Sequence, residues 1–327
     1  MFKSVKSGQV TEDLLSKLGC VITVSQEKIP ENGEDSYCHL VNESHAMVAV
    51  FDGCGGAGAR QYPAFRNKTG AYMASRAASA ATYKWFSELS AHNAVSCSEA
   101  TELLKAFVQK NLSLCEEYGA ARQSAKLRGS ITKNFPTTAA VITAEIEKMG
   151  LRVNCYWAGD SRGYLLDANG LAQLSDDDLN VKDAFENLTA DGILTNVISS
   201  SKDFKINQNS IFFEGQGIML AATDGCFGYV STPMEFENML LAALMVSNSA
   251  AQWEKNLTDL FSLYAADDFT LCAIVCGFDT FDELKTHFKI RYDYLNENYI
   301  SSLKKCSQEE KKKMWESYRP GYYRYIG

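Results

Sequence analysis

The chain is short of histidine, of long apolar runs and of surplus positive charge, and each shortage excludes something. Only four histidines occur among 327 residues, and neither they nor the scattered cysteines make the repeated close pairs of a structural zinc site. No stretch reaches the about 18 consecutive apolar residues that a membrane-spanning helix requires. At the amino terminus, Met1-Phe2-Lys3-Ser4-Val5-Lys6 runs into Ser7-Gly8-Gln9, where a signal peptide would place its apolar segment. Lys and Arg number 32 against 40 Asp and Glu, a net charge of −8 with a pI near 5.2. That balance argues against nucleic acid or an anionic membrane as partner of the whole molecule. No internal repeat or low-complexity tract is evident. The expectation is a cytoplasmic, monomeric chain.

What is present fits a folded protein in a reducing compartment. Apolar residues make up 46% of the chain, ample for a core in one large domain or two smaller ones. The ten cysteines are scattered, and several, such as Cys272 and Cys276 around Ala-Ile-Val, lie in apolar strand-like runs. Free Cys behaves there as a small buried hydrophobe.

The most informative residues are acidic. Five short patches recur along the chain: Gly33-Glu34-Asp35-Ser36, Val50-Phe51-Asp52-Gly53-Cys54-Gly55-Gly56, Ala158-Gly159-Asp160-Ser161-Arg162, Ala222-Thr223-Asp224-Gly225 and Asp267-Asp268-Phe269-Thr270. Each begins or ends a stretch that reads as a strand. A lone Asp-Gly is commonly only a turn. Carboxylates gathered from several strand ends, however, repel one another unless cations sit between them, and hard divalent ions with oxygen shells suit such a cluster.

Periodicity supplies the frame. Cys20 to Ser25, Tyr37 to Val41 and Met47 to Phe51 read as strands in an antiparallel meander. Helical spacing follows over Gln61 to Leu89 and over Ser98 to Ala120, where Leu103, Phe107, Leu112 and Cys115 recur. Strand character returns over Thr137–Ala144, Leu151–Trp157, Gly163–Leu166 and Leu171–Leu174, with Asp167-Ala168-Asn169-Gly170 as a hairpin turn. Asp176 to Ala190 is polar and offers few anchors. Strands are expected at Ile211–Phe213, Gly217–Thr223 and Phe269–Gly277, and helices at Met234–Val246 and Ala251–Tyr264. Two helix pairs among strand runs suit an α+β fold, a four-layer αββα sandwich with two central antiparallel sheets. Beyond Phe278 two further helices, Asp282–Tyr299 and Ser307–Tyr318, are expected, the second docked through Met314, Trp315 and Tyr318.

The order and flanks of the acidic patches resemble those of the metal-dependent Ser/Thr protein phosphatases of the 2C type, bacterial members included. Phe135-Pro136-Thr137-Thr138-Ala139 and Leu174-Ser175-Asp176-Asp177 resemble two further markers of that family. The resemblance covers Cys20 to Phe278, so residues 1–278 are read as the phosphatase domain and 279–327 as a helical carboxy-terminal extension. It implies a mobile flap over 176–190. It also implies hydrolysis of phosphoserine and phosphothreonine in proteins by a metal-activated water, opposing a Ser/Thr kinase, with two or three Mg²⁺ or Mn²⁺ ions.

Carried over residue by residue, the resemblance makes Asp52 the bridging carboxylate, with the Gly53 carbonyl in the same shell. Asp224 and Asp267 complete one ion's ligands, Glu34 holds the other with Asp35 adjacent, and Asp160 with Asp224 builds a third site. Asp268 stands where the family has Asn and is expected to support the ligands from behind. Two departures matter. Cys54 replaces the histidine of Asp-Gly-His-Gly-Gly that donates a proton to the leaving alkoxide, and a thiol is a poorer match to that role. Pro30 stands where an arginine would hold the substrate phosphate, leaving Lys28, Arg60 and Arg66 as candidates. These departures keep open a catalytically weak phosphoprotein-binding module. Cys54 and Arg60 also match a Cys-x5-Arg spacing of thiol-dependent phosphatases, but the surrounding carboxylates would raise the thiol pKa. A carboxylate-rich metal nuclease fits poorly with the negative charge.

Overall fold

The computed structural model describes residues 18–91, 95–120, 134–190, 192–303 and 305–326. Its strands in chain order are β1 (Val21–Gln26), β2 (Ser36–Val41), β3 (His45–Phe51), the two-residue β4 (Gln61–Tyr62) and β5 (Lys68–Thr69), β6 (Ala139–Ile146), β7 (Leu151–Ala158), β8 (Arg162–Asp167), β9 (Gly170–Gln173), β10 (Asn207–Phe213), β11 (Gly217–Ala222) and β12 (Phe269–Cys276). Ten of them form two five-stranded sheets, ordered β1-β12-β11-β8-β9 and β10-β7-β6-β3-β2. All the pairings are antiparallel, with Val24 opposite Leu271 in the first sheet and Val50 opposite Ala140 in the second.

The helices are the one-turn α1 (Gly55–Gly58), α2 (Gly70–Leu89), α3 (Cys97–Ala120), the one-turn α4 (Asp224–Phe227), α5 (Pro233–Val246), α6 (Ala250–Phe261), α7 (Phe281–Leu295), the short α8 (Ser301–Leu303) and α9 (Gln308–Tyr322). Three apolar layers hold the stack together. Val48, Val50 and Ile142 of the second sheet meet Met219, Cys272 and Ile274 of the first. Outside the second sheet, Ala74, Ala77, Ala78 and Ala81 let α2 lie close over Met47, Ala49 and Phe51. Outside the first, Phe236, Leu240 and Leu257 of α5 and α6 cover Leu220 and Ala273. The αββα sandwich of two antiparallel sheets expected from the sequence is therefore the fold observed.

Three local expectations need correction. The helix expected from Gln61 begins at Gly70, where the Thr69 hydroxyl accepts the Tyr72 amide at 3.0 Å as N-cap. Residues 61–69 instead make the β4–β5 hairpin around a 3-10 turn at Pro63–Phe65, with Arg66 and Asn67 left-handed at φ 58° and 60°. Pro63 lacks the amide that a helix interior requires. Second, β10 begins four residues before Ile211, and its alternating burial marks it as the half-exposed outer strand of its sheet. Third, the stretch 176–190 is anchored, with Leu179, Ala184 and Phe185 buried and Asp177 held inside an ion pair with Arg162.

The carboxy-terminal helices share the core of the first sheet. Leu284, Phe288 and Leu295 of α7 and Trp315, Tyr318 and Tyr322 of α9 belong to the same apolar cluster as Ile218 and Leu220 of β11. The Ser307–Glu310 capping box starts α9, and a π turn at Asn296–Ile300 extends α7.

Candidate functional site

The acidic patches meet at one end of the sandwich because the strands that carry them are neighbours. β3 ends at Phe51, and the Asp52 carbonyl accepts the Thr137 hydroxyl at 2.7 Å and the Thr138 amide at 2.8 Å, which ties this turn to the start of β6. The Gly53 amide donates to the Glu34 carbonyl at 3.2 Å. A side chain at Gly53 would meet the Ala71 carbonyl at 2.6 Å, so only glycine allows this approach. α1 then begins at Gly55, whose missing Cβ leaves room for the Glu34 carboxylate.

Asp268 organises the facing loop. Its two carboxylate oxygens accept the Lys28 amide at 2.7 Å and the Glu34 amide at 2.6 Å, pinning the segment that delivers Glu34 and Asp35. Thr223 donates its hydroxyl to Asp35 at 2.8 Å and accepts the Thr270 amide at 2.9 Å. Thr69 donates its hydroxyl to Glu34. Asp224 opens α4 directly after β11, and Gly225 is pressed against the Asp268 carbonyl, where no Cβ would fit. Asp160 follows Gly159, which turns the chain out of β7 at φ +91°.

The electrostatics give the convergence its physical content. Burial, then the nearby Asp224 and Asp268 charges, push the Asp35 carboxyl up to about 8 against the opposing pull of the Thr223 and Thr270 hydroxyls. Burial followed by Asp224 and Asp177 raises Asp160 to about 7. Asp52 lies well above the usual carboxylate range through burial and the fields of Asp224, Asp35 and Asp160. Asp224 is raised chiefly by burial, its hydrogen bond with Asp52 working the other way. Glu34 is raised by burial and by Asp268 and Asp267, against its bond from Thr69. Asp267 is exposed at the rim, where its carboxylate accepts the Asp268 amide at 2.9 Å.

The acids that meet at this end offer the oxygen donors a hard divalent cation requires, and they depress one another's ionisation as they would not with a cation between them. The donor chemistry therefore fits Mg²⁺ or Mn²⁺. The spacing is open: among the described residues, no three His, Cys, Asp or Glu side chains stand close enough to form a ready shell.

Not every candidate comes together with the acids. Lys28 is exposed and meets Asp268 through its amide, while the exposed Arg60 stacks on the Tyr62 ring at 5.2 Å. Arg66 is exposed in its left-handed turn. Cys54 is half-buried and caps α1, its amide donating to the Pro136 carbonyl at 3.1 Å.

Other contributors escaped the sequence. Arg76, on α2, donates to the Gly33 carbonyl at 3.0 Å with its guanidinium 3.4 Å from the Tyr72 ring centre, and its charge favours ionised Glu34. It belongs to no motif, and only its place two turns past the Thr69 cap could have drawn notice. Asp178 brackets the Gly159 peptide, accepting its amide at 3.0 Å and donating its own amide to the Gly159 carbonyl at 2.9 Å. The Tyr229 phenol sits at the mouth, raised by burial and by Asp224, Asp267 and Asp52.

No family model matches the chain, and no curated protein is similar to it in sequence. Solved structures are similar in fold. The serine/threonine phosphatase Stp1 from Staphylococcus aureus superposes with a TM-score of 0.58 at 17% identity, over 83% of this chain and 100% of that one. The serine/threonine phosphatase PstP/Ppp of Mycobacterium tuberculosis gives 0.53 at 17% identity, over 79% and 99%. The catalytic domain of PstP in complex with 2 manganese ions gives 0.50 at 17%, over 78% and 97%. A C. elegans sex determining protein gives 0.62 at 11%, over 83% of this chain and 67% of that one. At such identities the likeness is one of fold: the chain has the sandwich of the 2C-type phosphatases.

Proposed function

We propose that this chain is a metal-dependent phosphatase that removes phosphate from phosphoserine and phosphothreonine in proteins. The observation that carries the reading is the inward-facing set Asp35, Asp52, Asp160 and Asp224, delivered from four separate strand ends and mutually hindered from ionising. The PstP catalytic domain with its two manganese ions lends support, since a related sandwich accepts such ions.

Asp52, the Gly53 carbonyl, Asp35, Asp224, Asp267 and Glu34 would hold two ions, and Asp160 with Asp224 a third. Bound divalent ions would supply a lowered water pKa and neutralise charge on the phosphoryl oxygens. The chain's own work is to orient. Asp268 fixes the Glu34–Asp35 loop through two amides, Thr223 and Thr69 aim individual carboxylate oxygens, and Gly53 and Gly225 let the backbone close in. Cys54 occupies the position from which a proton would reach the leaving group. The substrate would be a phosphoprotein modified by a Ser/Thr kinase.

The deciding experiment is p-nitrophenyl phosphate and phosphopeptide hydrolysis by the purified chain, with Mn²⁺ and with chelator. Turnover that depends on Mn²⁺ is expected. Asp52→Asn should lower it by more than the about 10–100-fold that losing an outer supporting partner costs. Chelator-resistant turnover, or an Asp52→Asn protein as active as the parent, would refute the proposal.

A further inference from the structure

We infer that the carboxy-terminal helix α9 positions the Asp160 turn and the Asp224 helix of the acid cluster, acting through residues 177–185 and Arg162. Two connected routes run from α9 to the acids.

The first passes through hydrogen bonds. Trp315 Nε1 donates to Asp183 Oδ2 at 3.0 Å, and the Tyr323 hydroxyl, just past the helix end, accepts the Ala184 amide at 2.7 Å. The Phe185 ring stacks on Trp315 with centroids 6.4 Å apart. The residues so held continue back to Asp178, which grips both sides of the Gly159 peptide, and to Asp177. Asp177 receives the Arg162 guanidinium in a fork, Nε on Oδ1 at 3.0 Å and Nη2 on Oδ2 at 2.6 Å, with both side chains almost completely buried. Asp160 lies between Gly159 and Arg162, so the turn that carries it is fastened on either side by this one segment.

The second route passes through rings. Tyr322 of α9 packs on Tyr164 at 6.2 Å, and Tyr164 packs edge-on against Phe227 at 6.1 Å. Phe227 ends α4, the turn that Asp224 begins, and carries the Arg162 guanidinium 4.3 Å above its ring. Arg162 therefore joins the two routes behind Asp160 and Asp224. Short polar contacts to a buried segment transmit position because interiors are densely packed and yield little. A helix merely covering an apolar face would not need the two directed bonds to 183 and 184.

Tyr323→Phe removes the acceptor for the Ala184 amide while keeping the ring, and Trp315→Phe removes the donor to Asp183. In the full-length chain, hydrogen exchange of segments 157–162 and 176–188 should accelerate about fivefold in either variant, as expected for one lost internal hydrogen bond. Lys312→Ala, which removes only an exposed ion pair to Glu186, should leave both segments at the parental rate. Phe288→Leu, a core change in α7 off both routes, should lower the melting temperature without accelerating 157–162. Acceleration confined to 176–188, or equal acceleration of 157–162 in Phe288→Leu, would overturn the inference. The turnover arm rests on the phosphatase reading: Tyr323→Phe should lower kcat on p-nitrophenyl phosphate about fivefold at unchanged KM, and a shift in KM alone would count against positioning. The exchange result stands without it, so an inactive parent protein would sink the proposed function and leave α9 to be judged on exchange.

Discussion

Glu237 and Asp52 are both carboxylates withdrawn from bulk water, in opposite company. Glu237 on α5 is fully buried and receives Arg291 Nε at 2.7 Å, Arg291 Nη2 at 2.9 Å and the Tyr318 hydroxyl of α9. Asp52 faces Asp224, Asp35 and Asp160, and among the described residues no lysine or arginine forms an ion pair with any of these four. In the first region the protein supplies the countercharge itself and uses it to fasten three helices. In the second the nearby Arg162 is paired with Asp177 and only partly offsets the fields of Asp160 and Asp224, and the mutual repulsion is a standing cost that a ligand can relieve. Buried charge serves cohesion in one place and is left uncompensated in the other.

The contrast breaks most visibly at Glu237. Glu237→Ala leaves Arg291 buried without its partner, and removing one member of such a pair costs about 3–5 kcal/mol. At roughly 2–4 °C per kcal/mol for a chain of this class, the melting temperature should fall by roughly 10 °C, measured by calorimetry in chelator. The reverse holds in the acid cluster. Asp35→Asn retains an oxygen for the Thr223 hydroxyl and removes a charge that the site disfavours, so the metal-free variant should melt a few degrees higher at pH 8 than the metal-free parent, while with Mn²⁺ supplied it should turn over more slowly than the parent. If Asp35→Asn destabilised the chelated protein as Glu237→Ala does, the two regions would not differ as described.

A pH series sharpens the same point. Asp35 titrates at about 8 in the folded protein against an ordinary 3.8, so between those values the folded state binds more protons than the unfolded state. The stability that this group contributes is complete below about pH 4 and is lost as pH rises toward 8. Asp160, raised to about 7, works in the same direction. The chelated protein should therefore melt several degrees lower at pH 8 than at pH 5, and saturating Mn²⁺ should restore most of the loss at pH 8, because a ligand that binds only the folded state stabilises it. A melting temperature independent of pH in chelator would contradict this account.

Much of this was legible in the sequence, and the parts that were not share a cause. Strand ends bearing Asp52, Asp160 and Asp224 announce themselves because apolar alternation stops at an acid and a glycine, and antiparallel neighbours then bring those ends together. The hairpin at 61–69 hid because Tyr62 and Phe65 keep a helix-like spacing while Pro63 and the left-handed Arg66 and Asn67 decide the conformation. Segment 176–190 looked unanchored because its anchors are partners 130 residues and more away: Trp315 holds Asp183 and Tyr323 holds Ala184. The support from Asp178 to Gly159 was equally hidden, since an acid next to two others in Asp176-Asp177-Asp178 reads as solvated surface. Local pattern reveals where a side chain leaves the backbone; it does not reveal which distant group receives it.

The smallest predicted effect concerns Cys54, which belongs to the acid region without being an acid. It caps α1 beside Asp52 and Gly53, and its amide is fixed to Pro136, so a larger side chain at this position leaves the backbone of the turn in place. On the proposed mechanism, Cys54→His would put an imidazole, with an ordinary pKa near neutrality, where the leaving alkoxide needs a proton. Alkyl phosphates such as phosphoserine have poor leaving groups and gain from that proton; p-nitrophenolate leaves readily and gains little. Turnover of a phosphopeptide should rise about three- to tenfold in Cys54→His, with turnover of p-nitrophenyl phosphate changing less than about twofold, a modest share of what a well-placed general acid supplies. Equal change in the two substrates would mean that residue 54 does not face the leaving group, and the acid cluster would then lack a proton donor at this turn.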